Sequence, residues 1–338
     1  MHSVFTTEAN RRKSVPDRRY CPTYFLSDLF WAVMIDNLLV ARDFSTSSDR
    51  ALHAAFAWAR PTGATVHLLA IQVTNDNPFE PAEQRSGPLE RLREQLKDRT
   101  HSDMAQSGYD PGSVPVKHDV QRGETAGPAI VRYAERAGID LIMMGTTGRR
   151  GVRRAMLGSV AEEVVRTAPC PVCTVRATAE GEPPTVPDRV VIPIDFSEPS
   201  RPALAYGLRL AQRMEADVTV VHAIEEPSAP LVYGIEVGEK TKSSSANALK
   251  RRVNRALNEW VEQASADLND PPSCNIQVQN SAPATAIRET ASSPRDVVVM
   301  ATEGRTGMER MVLGSVAESV LRKAVGPVIT ARSFAEVR

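Results

Sequence analysis

The segment of this sequence best suited to chemistry is a glycine-rich loop at residues 145–151, GTTGRRG, which is followed by Gly158 and Ser159. It comes directly after an apolar run and leads into a predicted helix. Glycines at such a turn let backbone N–H groups approach an anion closely. The helix predicted from Ser159 would direct its free N–H groups and the positive end of its dipole to the same place. Together these features predict a phosphate-binding loop.

A structural interpretation fits the same residues. Ser159 and Glu162 have the spacing of a capping box, which stabilises a helix start without any ligand. The loop lacks the Gly-Lys-Ser/Thr of a Walker A motif, and it is not GxGxxG. The charge beside it comes from four arginines, which could equally form a solvated face: Arg149, Arg150, Arg153 and Arg154. The residues alone therefore leave phosphate binding and a structural turn both open.

The sequence repeats itself. LGSVAE occurs at residues 157–162 and again at 313–318, and the triplet Asp-Phe-Ser occurs at 43–45 and again at 195–197. The repeated blocks keep the same order in both halves, which chance does not explain. Self-similarity at a fixed period indicates repeated structural units. The chain is therefore a tandem duplication of a unit of about 150 residues.

The repeat defines the predicted domains. We expect one domain at residues 34–176 and a second at 189–333, joined by a linker at 177–188 that is rich in proline, glycine and acidic residues. Residues 1–33 have no counterpart in the second half. We hypothesise that this N-terminal extension is disordered or results from a start codon assigned too early.

The order of predicted elements indicates the fold class. In each half an apolar strand precedes an amphipathic helix that starts near Ser47 or Ser200, and further strands and helices alternate after it. The runs at 141–144 and 297–300 are continuously apolar, as expected of parallel strands that are covered on both faces. Alternating strands and helices predict right-handed βαβ units, and therefore an α/β fold with a parallel sheet. In such sheets ligands bind beyond the carboxyl ends of the strands.

Composition and charge exclude several classes of partner. The 338 residues contain 41 Lys and Arg and 41 Asp and Glu, so the formal net charge is zero. We therefore expect no nucleic-acid partner and no membrane partner. Four cysteines do not make a disulfide framework in a chain of this length, which favours a reducing compartment. We predict a cytoplasmic protein.

The spacing Gly145-x2-Gly148-x9-Gly158-Ser159 resembles the ATP-binding signature of universal stress protein domains. Flanking motifs agree with it: Asp-Phe-Ser after the first strand, Gly-Ser-Val-Ala-Glu at the last helix and Ala-Pro-Cys-Pro-Val before the last strand. The resemblance covers both halves, from about residue 35 to residue 332. The sequence thus resembles a tandem universal stress protein of the ATP-binding type.

The resemblance implies two tandem Rossmann-like domains of the adenine-nucleotide alpha-hydrolase-like kind. Each domain would hold a five-stranded parallel sheet with helices on both faces. In the first half, the residues expected around the adenosine are Ala41, Asp43 and Met144, and those around ribose and phosphates are Gly145, Gly148, Arg149, Gly158, Ser159 and Val160. The matching residues of the second half are Pro193, Asp195, Met300, Gly304, Arg305, Gly314, Ser315 and Val316.

The resemblance also implies a function. The chain would bind ATP or another adenine nucleotide and act as a nucleotide-dependent regulator of a stress response. Mg²⁺ would bridge the phosphate oxygens, but the sequence offers no carboxylate cage for it, and we assign no catalytic residue. Two alternatives stay open: a nucleotide-free scaffold that binds partners, and a slow ATPase or autophosphorylating protein.

The two halves differ at the predicted site. The first glycine of the signature is Gly145 in the first half and Ala301 in the second. If that position requires a positive φ, alanine costs about 1 kcal/mol. Arg150 and Arg153 are replaced by Thr306 and Glu309, which removes positive charge beside the phosphates. We therefore predict that ATP binds mainly in the first domain.

Other candidate sites have structural explanations. Cys170 and Cys173 form a CxxC pattern, but it enters a strand, where residues three apart lie about 10 Å apart, too far for a disulfide. We expect buried, inert thiols there. His222 lacks a paired carboxylate or nucleophile, and the basic cluster at residues 250–255 on a long helix from about Ser244 is best explained as a solvated face. The preceding loop, residues 225–245, is a candidate lid or partner contact.

The resemblance also implies that the two tandem domains form an intramolecular pseudo-dimer. We expect the two domains to pack through their final strands, residues 172–176 and 328–332. Fusion of the two partners in one chain would make this assembly independent of concentration. Association of two chains into a further homodimer is left open.

Overall fold

A computed structural model describes residues 35–73, 89–106, 110, 112–146, 157–177, 185–224, 239–302, 313–332 and 334. For residues 106 and 239–246 it describes the backbone alone. The N-terminal extension and residues 178–184 of the predicted linker lie outside the described residues. So do the candidate lid residues 225–238.

The first half contains five strands and four helices in alternation, as the sequence pattern predicts. They are β1 (Asn37–Arg42), α1 (Thr46–Thr62), β2 (Thr65–Val73), α2 (Leu89–Gln106), β3 (Val116–Gly123), α3 (Ala126–Ala137), β4 (Leu141–Gly145), α4 (Ser159–Thr167) and β5 (Val172–Val175). The helix α1 is started by Ser45, whose side chain accepts a hydrogen bond from the Ser48 N–H. It ends at Gly63, which adopts the left-handed conformation with φ of 74°.

The second half repeats this order. Its elements are β6 (Arg189–Pro193), α5 (Ser200–Met214), β7 (Asp217–Ala223), α6 (Glu239–Ser265), β8 (Cys274–Gln279), α7 (Pro283–Thr290), β9 (Asp296–Ala301), α8 (Ser315–Lys323) and β10 (Val328–Ala331). The helix α6 begins at Glu239, earlier than predicted, so the serines at 243–245 are helical and do not belong to a loop. No glycine or proline interrupts residues 239–265, and serine is only moderately unfavourable inside a helix. The basic residues at 250–252 and Arg255 are exposed, which is compatible with the predicted solvated face.

All ten strands form one sheet, in the order β3-β2-β1-β4-β5-β10-β9-β6-β7-β8. Each half contributes five parallel strands, so the predicted α/β class is confirmed. Only the junction between the halves is antiparallel among the described pairs: β5 pairs with β10 in a register that places Cys173 opposite Ile329. The predicted packing of the two domains through their final strands is therefore confirmed.

Helices cover both faces of this sheet. One buried cluster includes Phe56 and Trp58 of α1 and Leu208 of α5, and the other includes Val164 of α4 and Val320 of α8. Leu38, Leu39 and Val40 of β1 are fully buried, because alternate side chains enter opposite clusters. The continuous apolar runs in the sequence follow from this double coverage.

Contacts between the two halves extend beyond the sheet. The guanidinium of Arg213 donates to the carbonyl oxygen of Thr62 at 2.6 Å. The indole N–H of Trp58 donates to the carbonyl oxygen of Thr185 at 3.2 Å. The halves are thus held together by the sheet, by the packing of α1 on α5 and by these polar contacts. None of the helices in the described part of the chain is long and apolar enough to cross a bilayer.

The CxxC cysteines lie in the core, as predicted. Cys170 and Cys173 are buried free thiols. Burial raises the pKa of Cys170 to about 12, and it raises the pKa of Cys173 as well. Because the thiolate is the reactive form of cysteine, we expect both thiols to be unreactive in the folded chain.

Candidate functional site

The sheet order places the candidate site at the carboxyl edge of the strands. In the first half the chain leaves β1 towards β2 on one side and leaves β4 towards β5 on the other, so a crevice opens between β1 and β4. The second half has the same arrangement at β6 and β9. The signature residues follow these four strands.

The Asp-Phe-Ser turn closes the end of the first strand in each half. Phe44 and Phe196 adopt the left-handed conformation, with φ of 61° and 62°. A residue with a bulky side chain rarely adopts this conformation, which costs about 1–2 kcal/mol. Because the strained turn occurs in both halves, the surrounding structure must hold the phenylalanine in this conformation. Backbone strain of this kind is concentrated at functional sites.

The strained turn fixes the carboxylate of the aspartate. In the first half Asp43 accepts hydrogen bonds from the Ser45 N–H at 3.0 Å and from the Ser45 hydroxyl at 2.6 Å. In the second half Asp195 accepts from the Ser197 N–H at 3.0 Å and from the hydroxyls of Ser197 and Ser200, both at 2.5 Å. Each carboxylate is therefore oriented by its own turn at the edge of the sheet.

The two phenylalanines have different neighbours. Phe44 lies under the guanidinium groups of Arg42 and Arg99, at 5.4 and 4.9 Å from its ring centroid. Phe196 contacts two aromatic rings, His222 at 5.0 Å and Trp260 at 5.2 Å between centroids. The same turn is thus supported by cations in the first half and by aromatic rings in the second.

Gly145 has a packing requirement that the sequence did not reveal. A Cβ atom at this residue would lie 2.4 Å from the Ser47 hydroxyl oxygen and 2.7 Å from the Ser47 carbonyl carbon. Gly145 ends β4, and the glycines with positive φ among the described residues are Gly63 and Gly138. The suggestion that a positive φ selects glycine here is therefore wrong: the close approach of α1 selects it.

The second half tolerates alanine at this point for a related reason. Ala301 ends β9 at the position aligned with Gly145. The residue aligned with Ser47 is Pro199, and α5 starts only at Ser200. The helix start of the second half thus differs from that of the first, and Ala301 does not carry a backbone penalty from positive φ.

The capping-box interpretation of the last helix in each half is wrong. The helices α4 and α8 have Gly158 and Gly314 as their N-caps, and neither helix has a side-chain cap hydrogen bond. Ser159 and Ser315 are the first helical residues, one position too late to act as caps. The acids of the supposed boxes pair within their helices instead: Glu162 with Arg166 at 3.9 Å, and Glu318 with Arg322 at 2.5 Å.

Backbone hydrogen bonds close both glycine loops at their base. The Gly158 N–H donates to the Thr146 carbonyl oxygen at 2.7 Å, and the Gly314 N–H donates to the Thr302 carbonyl oxygen at 2.9 Å. Each loop therefore starts and ends at the same point of the carboxyl edge. The predicted residues Gly148, Arg149, Gly304 and Arg305 lie between these points, outside the described residues.

A cavity of about 630 Å³ opens at the carboxyl edge of the second half. It brings together every described residue that the sequence predicts for that site: Pro193, Asp195, Met300, Gly314, Ser315 and Val316. The first turn of α8 forms one wall. Its N–H groups and dipole therefore face the space that the aspartate borders.

Sequence reasoning missed a large part of the cavity wall. Ile194 and Phe196 adjoin the predicted aspartate, His222 lies in the last part of β7, and Ile224 directly follows that strand. Leu249 and Val253 of α6 complete the apolar side. The position of the first four residues at strand ends could have indicated that they line the cavity. The contacts of α6 depend on how that helix packs, which the sequence does not show.

In the first half the described predicted residues lie on the corresponding elements. Ala41 and Asp43 lie at the end of β1, and Met144 and Gly145 end β4, which pairs with β1 in parallel. Gly158, Ser159 and Val160 start α4. The structure thus gives both halves the same frame of strand ends and helix start.

The adjacent strand ends differ between the halves. Arg42 has a completely buried side chain, which lies 2.8 Å from Asp49 and 2.9 Å from Asp103. The aligned residue of the second half is Ile194, which lines the cavity. Opposite Arg42 on β2 is Ala70, and its counterpart is His222. The first half thus has a charged side chain opposite a small one, and the second half has an apolar side chain opposite an imidazole.

His222 has a defined tautomer. Its Nδ1 lies 2.6 Å from the carbonyl oxygen of Ile194, and because a carbonyl only accepts, Nδ1 carries the proton. Asp195 and His222 are the titratable groups among the described residues that line the cavity. Within the same part of the chain, no three His, Cys, Asp or Glu side chains are grouped to hold a metal ion. With one carboxylate and one imidazole in a largely apolar wall, the described part of the cavity is suited to binding a small ligand.

Comparisons with known proteins agree with this architecture. A model of the universal stress protein family matches residues 34–176 and 187–332. A universal stress protein of Mycobacterium tuberculosis is 28% identical over 205 residues, which are 61% of this chain and 65% of that protein's length. Another, from Methanocaldococcus jannaschii, is 30% identical over 149 residues, which are 43% of this chain and 81% of that protein.

A solved structure of a universal stress protein from Archaeoglobus fulgidus has the same fold. Its TM-score to this chain is 0.55 at 17% sequence identity, and the superposition covers 88% of this chain and 99% of that one. The family model covers both halves and leaves out little beyond the N-terminal extension. The chain belongs to the universal stress protein family.

Proposed function

We propose that this chain binds adenine nucleotides at the carboxyl edge of its sheet and acts in the cytoplasm as a nucleotide-dependent regulator of a stress response. The family to which it belongs consists of stress-response proteins. The observation that carries the proposal is the cavity at the ends of β6 and β9, where an oriented carboxylate faces an α-helix start without a side-chain cap. Small-molecule sites of α/β sheets lie at this place.

Each part of the site suits one part of a nucleotide. The apolar side, formed by Ile194, Val253 and Ile287 among others, offers a dry surface for a flat base. Asp195 can accept hydrogen bonds from hydroxyl or amino groups. The first turn of α8 at Ser315 and Val316 offers N–H groups to a phosphate.

We propose that ATP itself binds mainly in the first half. The complete signature and four loop arginines support this preference, whereas the second half carries Thr306 and Glu309 at two of the arginine positions. Ala301 carries no backbone penalty from positive φ, and the close approach of Ser47 accounts for glycine at residue 145. The proposed preference of ATP for the first half therefore depends on the difference in charge between the two loop sequences.

Magnesium would accompany the phosphates. The described residues hold no group of carboxylates for a metal, and Asp43 already accepts two hydrogen bonds from Ser45. The ion would therefore be held mainly by the phosphate oxygens, where it neutralises their charge.

The test uses a matched pair of substitutions, Ser159→Asp in the first half and Ser315→Asp in the second. Both serines are exposed at the first position of a helix, where an acid favours the helix start. Both variants should therefore fold, but the added carboxylate repels phosphates at that helix. Calorimetric titration with ATP and Mg²⁺ should give one site per wild-type chain, weakened at least about tenfold by Ser159→Asp and unchanged by Ser315→Asp.

The reverse pattern would place ATP in the second half. Absence of binding to the folded wild-type chain would refute nucleotide binding and leave a scaffold that binds partners. Phosphate release that persists in Ser159→Asp, after ATP binding has been lost, would identify any ATPase activity as a contaminant.

A further inference from the structure

The wall of the second-half cavity is poorly suited to a polyanion. Its large described side chains are mostly apolar, including Val221, Ile224, Leu249 and Val253. No lysine or arginine occurs among its described lining residues, and the one carboxylate is Asp195. Placing several negative charges in such a space is costly unless cations compensate them.

The cavity nevertheless suits a small organic ligand. A volume of about 630 Å³ lies within the range of about 300–1,000 Å³ that is typical of small-molecule sites. The aromatic rings of Phe196 and His222 lie 5.0 Å apart on one side, and Met300 lies on another. A flat, largely neutral ring system fits a wall of this composition.

The polar groups of the cavity are few. The first turn of α8, from Ser315, can receive a single phosphate through backbone N–H groups. Asp195 is held by the hydroxyls of Ser197 and Ser200, which fixes its orientation. One helix start and one carboxylate match the polar groups of a nucleoside that carries one phosphate or none.

The sequences that join the fourth strand of each half to its last helix differ in charge. Residues 147–156 contain four arginines and no acid, whereas residues 303–312 contain Arg305 and Arg310 balanced by Glu303 and Glu309. The residues that flank both segments lie at the carboxyl edge. We therefore expect each phosphate added to a ligand at that edge to gain Coulomb energy in the first half and to gain little in the second.

We propose that the second-half cavity is a site for an adenine ligand of low charge, adenosine or its monophosphate, and that the two halves thus bind ligands of different phosphorylation state. This inference rests on the proposed function, because it assumes that the carboxyl edge takes adenine compounds. The occupancy of the two sites then depends on the ratio of two ligands, because one half binds the triphosphate and the other binds its dephosphorylated products.

The first test blocks one site at a time. Ala223 lines the cavity at the end of β7, and Ile71 occupies the aligned position at the end of β2. Ala223→Trp should fill the second-half cavity, and Ile71→Trp is the matched variant of the first half. Adenosine, AMP and ATP with Mg²⁺ are titrated into each by calorimetry, with circular dichroism as the control for folding.

We expect Ala223→Trp to lose the adenosine and AMP site and to keep the ATP site. Ile71→Trp should keep adenosine and AMP binding and lose ATP binding. If Ile71→Trp fails to fold, Ser159→Asp replaces it, because that residue is exposed. ATP binding to the second half that is as tight as AMP binding would overturn the inference.

A second test changes the charge alone. In a chain whose first half is blocked, Thr306→Arg with Glu309→Arg gives the second half the arginines of the first. ATP affinity should rise about tenfold or more while adenosine affinity stays constant, because only the phosphates sense the new charge. An equal change for both ligands would contradict the role of charge.

The two proposals fail in different ways. If ATP binds the first half and adenosine and AMP bind nowhere, the inference about the second half is wrong and nucleotide binding stands. If no adenine compound binds the folded wild-type chain, both are wrong.

Discussion

Gly145→Ala is the substitution that most directly tests how the site is built. The added Cβ would lie 2.4 Å from the Ser47 hydroxyl oxygen and 2.7 Å from the Ser47 carbonyl carbon. Ser47 is buried at the start of α1, so the backbone contact cannot be relieved by a change of rotamer. Either α1 or the end of β4 must shift by several tenths of an ångström.

The expected cost follows from the packing. Adding one carbon to a close-packed position typically destabilises by about 1–3 kcal/mol. Two of the closest atoms belong to the Ser47 side chain, whose hydroxyl can move, and one belongs to its backbone, which cannot, so we expect a cost near the middle of that range. A loss of about 2 kcal/mol lowers the melting temperature by roughly 4–8 °C in a domain of 150–250 residues.

The assay is reversible denaturant unfolding of wild type and variant, followed by circular dichroism. Ala301→Gly in the second half is the matched control, and it should cost at most about 1 kcal/mol, because it only adds backbone freedom and removes a methyl group. A Gly145→Ala variant as stable as wild type would refute the packing argument, as would equal losses for the two substitutions.

Three further predictions concern the rest of the fold. Asp296→Asn should cost about 2 kcal/mol, because the buried carboxylate accepts from the Arg189 side chain at 3.1 and 2.7 Å and from the Ser293 N–H at 2.8 Å; chemical denaturation measures it, and Asp188→Asn, in the exposed pair with Arg295, should cost under about 1 kcal/mol. Cys170 and Cys173 should resist a thiol reagent at pH 8 until the chain unfolds, since burial raises both pKa values; fast labelling of either thiol in the native chain would disprove their burial. Burial lowers the pKa of His67, so its contribution to stability is present above the unfolded pKa near 6.5 and is lost as pH falls through the folded pKa. His67→Gln should therefore flatten the decline of the melting temperature between pH 7 and pH 5. An unchanged slope would show that His67 does not cause this decline.

The sequence predicted the parts of the fold that depend on periodicity. The apolar runs located β4 and β9, because burial on both faces of a sheet leaves a local pattern in the sequence. The pairing of β5 with β10 was expected from the family resemblance, since periodicity and the repeat do not specify which strands meet. The early start of α6 was missed because a run of serines is compatible with a loop and with a helix.

The site was predicted less completely. The spacing of glycines and serine marked α4 and α8, but it could not show that Gly158 and Gly314, and not the serines, are the N-caps. The reason for Gly145 depends on Ser47, which is distant in the sequence and becomes a neighbour only in the fold. The side of the cavity formed by α6 depends on helix packing, which residue spacing does not specify.

The most direct test of nucleotide binding is the content of the purified chain. The wild-type protein would be purified without added ligand and denatured, and released nucleotide would be identified and counted by chromatography beside Ser159→Asp prepared in parallel. We expect ATP at close to one molecule per wild-type chain and its loss from the variant. A wild-type chain that carries no nucleotide, and gives no heat of binding when ATP with Mg²⁺ is then added, would contradict it.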